Sequence, residues 1–367
     1  MAKRALMMLA NEYRPDPRVR TEALALVEDG HSVDIICWDR SGKRPREEVD
    51  AGIGVHRIGR KKVQGPLRTF LFMPRAWMRM WQASARFEAD VVHAHDLDAL
   101  IPGVLAAWSK GVPLIYDAHE WYAKMVARDL PLAGLWVDLA ENFLLKRVAK
   151  VVTVNSALQE RFEDAGCDVT VVMNTPPIGE TLPSSPSKEL RLFYGGTLEP
   201  GRYVLEMLEA LRQFDGWSMV LAGYGRYEEE VRRLAAADPR IRFLGWIDRE
   251  NIMAEMAAAD VILCPLDAGN ENYRIATPNR LLEAMAVGRP VIATEGTLGG
   301  AMAREIGCGL SILWSPDAFR AAVTDLQDPA LRQRLGDNGR RAAEQEYNWD
   351  VMRRRLLEVY ASLPTCT

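Results

Sequence analysis

Thr277-Pro278-Asn279-Arg280-Leu281-Leu282-Glu283-Ala284-Met285-Ala286-Val287-Gly288-Arg289-Pro290-Val291-Ile292-Ala293 is the stretch that decides the fold. Thr277 reads as a helix cap, because its hydroxyl can accept from an unpaired N–H of the first turn. Pro278 reads as the first helical residue, where a missing N–H costs nothing. Residues 291–293 form a short apolar run consistent with a buried strand. A helix handing over to a buried strand is one half of a strand–helix–strand unit, and such units build parallel sheets with helices on both faces.

Working outward, the same alternation repeats. Strands are expected at 191–194, 219–222, 241–244 and 261–265 before this run. Earlier in the chain they are expected at 5–10, 33–38, 55–58, Val91–His95, 114–117, 151–154 and 169–173. Asp16-Pro17 opens a helix that Gly30 stops, and Ser156 with Gln159 reads as a capping box. Between the two series lie Pro176, Pro177, Pro183 and Pro186 in a stretch of little apolar content. The expected fold class is therefore α/β, with two doubly wound Rossmann-like domains. The boundaries are 1–175, a linker at 176–187, and 188–346, with a C-terminal helix at 347–367. Ligands in such sheets bind beyond the carboxyl ends of the strands, so the default site is the cleft that two facing domains make.

Composition narrows the function. With 367 residues, two domains follow from roughly 100–200 residues per domain. Hydrophobic residues at 48% and charged residues at 26% describe an ordinary globular chain rather than a disordered one. The net charge of −4 argues against a nucleic-acid partner. Five cysteines at irregular spacing, none in a Cys-x-x-Cys pair, suggest neither a disulfide framework nor a zinc site and point to a reducing cytoplasm. No run approaches the ~18 apolar residues of a membrane span.

Four loops behind expected strands in the second half carry chemistry. Gly195-Gly196-Thr197-Leu198-Glu199-Pro200-Gly201-Arg202 pairs glycines that admit an anion with a fixed cation at a helix start. Gly223-Tyr224-Gly225 is a second turn of this kind. Gly245-Trp246 is a third, where Trp246 either walls a base or packs. The fourth is the opening stretch. Its helix start, with Pro278, Asn279 and Arg280, offers free N–H groups to a diphosphate, while Glu283 can accept two ribose hydroxyls or simply complement the helix dipole.

In the first half, His119 and Glu120 follow a strand, in position to orient a sugar hydroxyl. His93, His95, Asp96 and His119 together can be written as a metal site, and Asp96-Leu97-Asp98 matches a three-residue metal motif. Asp96 or Asp98 is more simply the cap of the following helix. Residues 51–87 contain no acid, but hold Arg57, Arg60, Lys61, Lys62, Arg68, Arg75, Arg79 and Arg86 among Phe70, Leu71, Phe72, Trp77 and Trp81. A helix here either lies on anionic lipid through its tryptophans or packs them on the sheet.

The whole series resembles the retaining glycosyltransferases of the GT-B fold, in the large GT4-type group also called glycosyl transferases group 1. The resemblance rests on Asp16 to Arg20, Gly30 to Val33, Val92 to Asp96, Tyr116 to Glu120, Gly195 to Arg202, Phe243 to Gly245, Ala259 to Val261 and, above all, Glu283 to Ala293. It implies that the second domain holds a nucleotide diphosphate sugar, UDP or GDP based, with no cofactor and no metal. Arg202 then binds the diphosphate, Glu283 the ribose, and His119 lies beside the transferred sugar. The donor set is completed by Gly196, Thr197, Gly223, Tyr224, Gly245, Trp246, Asn272, Pro278, Asn279 and Arg280. Asp16, Arg18, His95, Asp96, His119 and Glu120 stand on the acceptor side. Two positions depart from the family pattern. Thr197 stands where many members carry a basic residue, and Ile275 where many carry a first Glu; Asn272 or Asn279 can replace the latter. If the basic stretch 57–86 lies on anionic lipid, the acceptor expected is a hydroxyl on a lipid-linked or cell-envelope glycan, met at the inner face of the cell membrane. An epimerase of the same fold and a non-catalytic sugar-nucleotide binder are the competing readings.

Overall fold

The computed structural model describes residues 2–14, 16–59, 63, 66–129, 131–178, 189–276 and 279–364. Most of the expected linker 176–187, the pair Thr277-Pro278, and Arg60, Lys61 and Lys62 lie outside them. The chain divides into two compact units, one of residues 1–173 with 352–367, the other of residues 174–351.

Among the described residues, the first unit holds an eight-stranded sheet. Its strands are β1 (Arg4–Leu9), β2 (Ser32–Trp38), β3 (Glu47–Asp50), β4 (Ile53–Ile58), β5 (Val91–His95), β6 (Leu114–Ala118), β7 (Lys150–Thr153) and β8 (Val169–Val171). The order is β3-β4-β2-β1-β5-β6-β7-β8, parallel except for the antiparallel edge strand β3. Nothing in Glu47-Glu48-Val49-Asp50 alternates like a half-buried strand, so this edge was not expected from sequence. The inner strands β5 and β6 are buried end to end and β1 from its second residue on, as a sheet covered on both faces requires.

Helix Pro17–Glu28 starts directly behind β1, and Asp16 caps it, accepting from Val19 N at 3.2 Å. The next expected cap is corrected. Helix Ser156–Asp164 is capped by Asn155, which accepts from Leu158 N at 2.9 Å, while Gln159 bonds Glu163 instead of closing a box with Ser156. An Asn side chain one residue earlier reaches the first-turn N–H groups from extended backbone. Helix Trp349–Ser362 closes the unit. Lys3 Nζ donates to Tyr360 O and Leu363 O at 2.7 and 2.8 Å, and the buried Tyr360 hydroxyl lies 2.9 Å from His93 Nδ1.

Among the described residues, the second unit holds six parallel strands: β9 (Leu190–Gly195), β10 (Trp217–Ala222), β11 (Ile241–Phe243), β12 (Val261–Cys264), β13 (Val291–Thr294) and β14 (Gly309–Ile312). Their order is β11-β10-β9-β12-β13-β14. The chain adds β10 and β11 on one side of β9 and then β12, β13 and β14 on the other, which makes the edge beside β9 the switch point where doubly wound sheets bind ligands. Below it, Trp217 is fully buried among Leu192, Met219, Leu211 and Phe319. Its indole N–H donates to Leu211 O at 3.0 Å, so the one polar atom of this large side chain is satisfied.

Candidate active site

Strand register builds a polar cluster in the first unit. His95 ends β5 opposite Asp117 on β6, so the two side chains arrive side by side. His95 Nδ1 lies 3.1 Å from Asp117 Oδ2. Arg18, in the first turn of helix Pro17–Glu28, reaches the same carboxylate with Nε at 3.0 Å and Nη2 at 2.7 Å, a bidentate pair. Its other nitrogen donates to Val172 O at 2.7 Å, and Glu22, one helical turn on, stands 3.0 Å from Nη2. His119 completes the group, with Nε2 2.8 Å from Asp117 and Nδ1 3.1 Å from Asp96.

The layering is clear from burial. Arg18, His95 and Asp117 are buried, while His119 and Asp96 keep about a fifth of their side chains accessible, and Glu120 is exposed. The sequence reading placed Arg18 and His95 with the acceptor. In the structure their polar groups form the floor that holds Asp117, and His119 sits above them. Asp16 likewise is a helix cap, also held by Asn11 Nδ2 at 2.7 Å. Asp117, the hub, was missed as a site residue. The signal available was its place in the Asp-x-His run, two residues before His119 on the end of a strand.

Asp96 corrects a second expectation. It occupies the cap position of helix Leu97–Lys110 but makes no capping bond. Its backbone sits at φ 62°, a left-handed value uncommon outside glycine, and its carboxylate accepts instead from the backbone N–H of His119 at 3.3 Å and from the ring. The consequence is electrostatic. Burial alone would lower the His119 pKa, but Asp117 and then Asp96 outweigh it and hold the ring well above its ordinary value. With a carboxylate on each nitrogen, both nitrogens donate, and the ring is an imidazolium. Burial would also raise Asp117; Arg18 and then His119 reverse that and hold it well below the carboxylate range.

Four side chains, Glu22, His93, His95 and Asp117, offer ligand atoms within 4.8 Å of one another. The donor set does not fit a cation well. Arg18 already lies against both carboxylates, and burial pushes Glu22 up to about 7. In the Asp96-x-Asp98 pair, burial and then the Asp96 charge raise Asp98 to about 7 as well, so that pair does not offer two firm negative charges.

A second cluster, within the second unit, lies on the carboxyl edge of β9, β10, β11 and β12. Three glycine turns are laced by backbone bonds: Gly196 N to Ala222 O at 2.9 Å, Leu198 N to Tyr224 O at 2.8 Å, and Gly223 N to Gly245 O at 2.8 Å. Gly223 and Gly225 sit at φ near 149°, and a Cβ on Gly223 would collide with the Gly196 carbonyl. Arg202 lies with its guanidinium 4.6 Å from the centre of the Tyr273 ring, and its Nε is buried with no hydrogen-bond partner among the described residues. Tyr273 belongs to helix Glu271–Ile275, which also carries Asn272 and Ile275.

Helix Asn279–Ala286 brings the remaining residues. Asn279 is exposed at its start, and Thr277 and Pro278, before it, are outside the described residues. Arg280 Nε donates to Gly195 O at 2.7 Å, and its Nη1 pairs with Glu283. Arg249, missed in the sequence, approaches Glu283 from helix Arg249–Ala258 at 3.8 Å. Glu283 is 4% exposed; burial raises its pKa against the pull of Arg280 and Arg249. Trp246 and Tyr224 are exposed by 71% and 57%, so among the described residues Trp246 does not pack into the unit. An uncovered aromatic at a strand end is free to stack on a ring.

Helix Pro66–Ser84 corrects the lipid-facing reading of its tryptophans. Trp77 donates through its indole N–H to Asp98 O at 2.5 Å, Trp81 packs against the core, and Met80 and Ala76 are buried. Arg68, Arg75 and Arg79 are exposed, with Leu71 and Met78. The Phe70 side chain is not among those described. Among the described residues no helix is long and apolar enough to cross a membrane.

Comparison with known proteins now separates the readings. Residues 15–176 match the family described as Glycosyl transferase 4-like domain, and residues 190–328 match Glycosyl transferases group 1. The chain is 24% identical over 401 residues to a glycogen synthase of Mycobacterium tuberculosis, covering 97% of this chain and 94% of that protein. It is 31% identical over 151 residues, 40% of this chain and 39% of the other, to a GDP-mannose-dependent monoacylated alpha-(1-6)-phosphatidylinositol monomannoside mannosyltransferase of Corynebacterium glutamicum. In fold it is similar to sucrose-phosphate synthase from Thermosynechococcus elongatus, with a TM-score of 0.78 over 98% of both chains at 18% identity. The relatives are sugar transferases, and neither the epimerase nor the non-catalytic reading gains support.

Proposed function

Since the chain belongs to the GT-B glycosyltransferases of the GT4-type, group 1 family and transfers a sugar from a nucleotide sugar, we propose that it does so with retention of configuration, from a donor held in its second unit. The observation that carries the donor assignment is the convergence of Arg202, Arg280, Glu283 and three glycine turns at one switch point. Arg202 and the start of helix Asn279–Ala286 take the diphosphate, Glu283 the ribose, and Trp246 or Tyr224 the base. Asn272 and Asn279 stand nearest the role that Ile275 cannot play.

In the transfer, the bond from C1 to the diphosphate oxygen breaks and a bond from C1 to the acceptor oxygen forms on the same face. The acceptor proton passes to the departing diphosphate. The protein's contribution is position and charge. His119, held as an imidazolium with both N–H groups engaged by Asp117 and Asp96, serves as a fixed positive charge rather than as a base. No metal or cofactor is assigned to the step, because arginines and helix N–H groups supply the charge.

The acceptor class follows from surface chemistry. Exposed Arg68, Arg75 and Arg79 on an acid-free helix suit an anionic membrane surface, and so a lipid-linked glycan at the inner face of the cell membrane. Incubating the protein with UDP- and GDP-sugars and lipid-extracted acceptors, with proton NMR of the product, tests the reading. A product with the donor's anomeric configuration is expected; an inverted product removes the front-face scheme.

A further inference from the structure

Helix Pro131–Leu145 is built inside out. Its inward positions carry its acids: Glu141 is buried and accepts from Tyr116 Oη at 2.7 Å, and Arg161 pairs with Glu141 and with Asp138 at 2.8 Å. Its outward positions carry its bulk. Leu132, Leu135, Trp136, Leu139 and Phe143 are 78, 58, 71, 52 and 65% exposed, at the spacing of one helix face. Among its described residues, every one in the exposed class is apolar. A packed helix puts such a face on the core; this one turns it away while its charges are satisfied inside.

The neighbours share the character. Helix Leu97–Lys110 packs against both this helix and Pro66–Ser84, and its Trp108 is 72% exposed. Exposed Lys146 and Arg147 follow Phe143, and exposed Arg68, Arg75 and Arg79 lie on Pro66–Ser84. Among the described residues of these three helices, no carboxylate is exposed. The surface is thus apolar in one stripe and cationic at its margins, which complements an anionic lipid interface rather than another folded surface of mixed charge.

We propose that the stripe from Leu132 to Phe143 inserts into the acyl boundary of an anionic bilayer, with the basic residues of its margins on the headgroups. The inference rests on the reading that the acceptor is met at a membrane, and it moves the anchoring contact from the tryptophans of Pro66–Ser84 to this helix. The contact has two parts, one weakened by salt and one not.

Co-sedimentation with phosphatidylglycerol-containing vesicles at low and high salt tests it on the full chain. The wild type is expected to bind, and to retain part of its binding at high salt. The triple variant Leu135→Ser, Trp136→Ser, Leu139→Ser is expected to partition at least about tenfold less at high salt, while still binding nucleotide. Because these side chains are exposed, the variant is expected to melt as the wild type does; should it not, the single variant Trp136→Phe decides, by loss of fluorescence quenching from acyl-chain-brominated lipid. Equal binding of wild type and triple variant, or unchanged quenching in Trp136→Phe, overturns the stripe but leaves a membrane contact elsewhere. A wild type that binds no vesicle at low salt overturns the membrane reading itself. A vesicle-free dimer by light scattering that the triple variant abolishes overturns the proposal in favour of a second copy as the occupant.

Discussion

His119 shows how a single side chain takes its chemistry from its neighbours. A histidine at a strand end reads as a group that can orient a sugar hydroxyl. Between Asp96 and Asp117 both its ring nitrogens are engaged, and its folded pKa stands well above the ordinary value. The sign fixes the pH behaviour. A raised pKa contributes stability that is complete below about pH 6.5, the unfolded value, and fades as pH rises through the folded one. The urea stability gap between wild type and His119→Gln is therefore expected to be about 1.5–3 kcal/mol at pH 5.5 and to narrow as pH rises through the raised folded value. A gap that widens with pH would mean that the ring is neutral in the folded protein. The kcat/KM profile carries the same signature, with no acidic limb near pH 6.5 arising from this residue.

At the scale of elements, the glycine turns hold the donor edge together. Gly223 occupies φ 148° with the Gly196 carbonyl where a side chain would begin. Gly223→Ala must displace the Gly196 turn or unfold its own, and backbone strain of this kind is worth of order 1–3 kcal/mol. The variant is expected to melt lower and to bind nucleoside diphosphate at least about tenfold more weakly; unchanged affinity by calorimetry would detach this turn from the donor edge. The sheets themselves were legible because buried strands such as Ser32–Trp38 carry a run of apolar residues and helix starts such as Asp16-Pro17 declare themselves locally. The edge strand Glu47–Asp50 was not, since an exposed antiparallel edge needs no apolar pattern. Asp96 and Asn155 misled for a related reason. A cap is chosen by where the chain enters the helix, and at Asp96 the entry geometry turned the carboxylate to His119 instead. Arg249 and Tyr273 became visible only when separate helices brought them to Glu283 and Arg202.

At the scale of the whole molecule, the two units divide the chemistry. The first keeps a buried ionic floor under one imidazolium, and its last helix returns to it through Tyr360 and Lys3. The second gathers cations, glycine turns and a buried carboxylate at its switch point. The inside-out helix Pro131–Leu145 belongs to the first unit. The donor assignment is the claim on which the rest depends, and titration calorimetry reaches it most directly. UDP and GDP are titrated into the wild type, Arg202→Ala and Glu283→Gln, each checked by circular dichroism. Charged hydrogen bonds are worth about 1.5–3 kcal/mol each, so each substitution is predicted to weaken the preferred nucleotide at least about tenfold with the fold intact. Unchanged affinity in both variants would contradict the account and move the donor away from this edge.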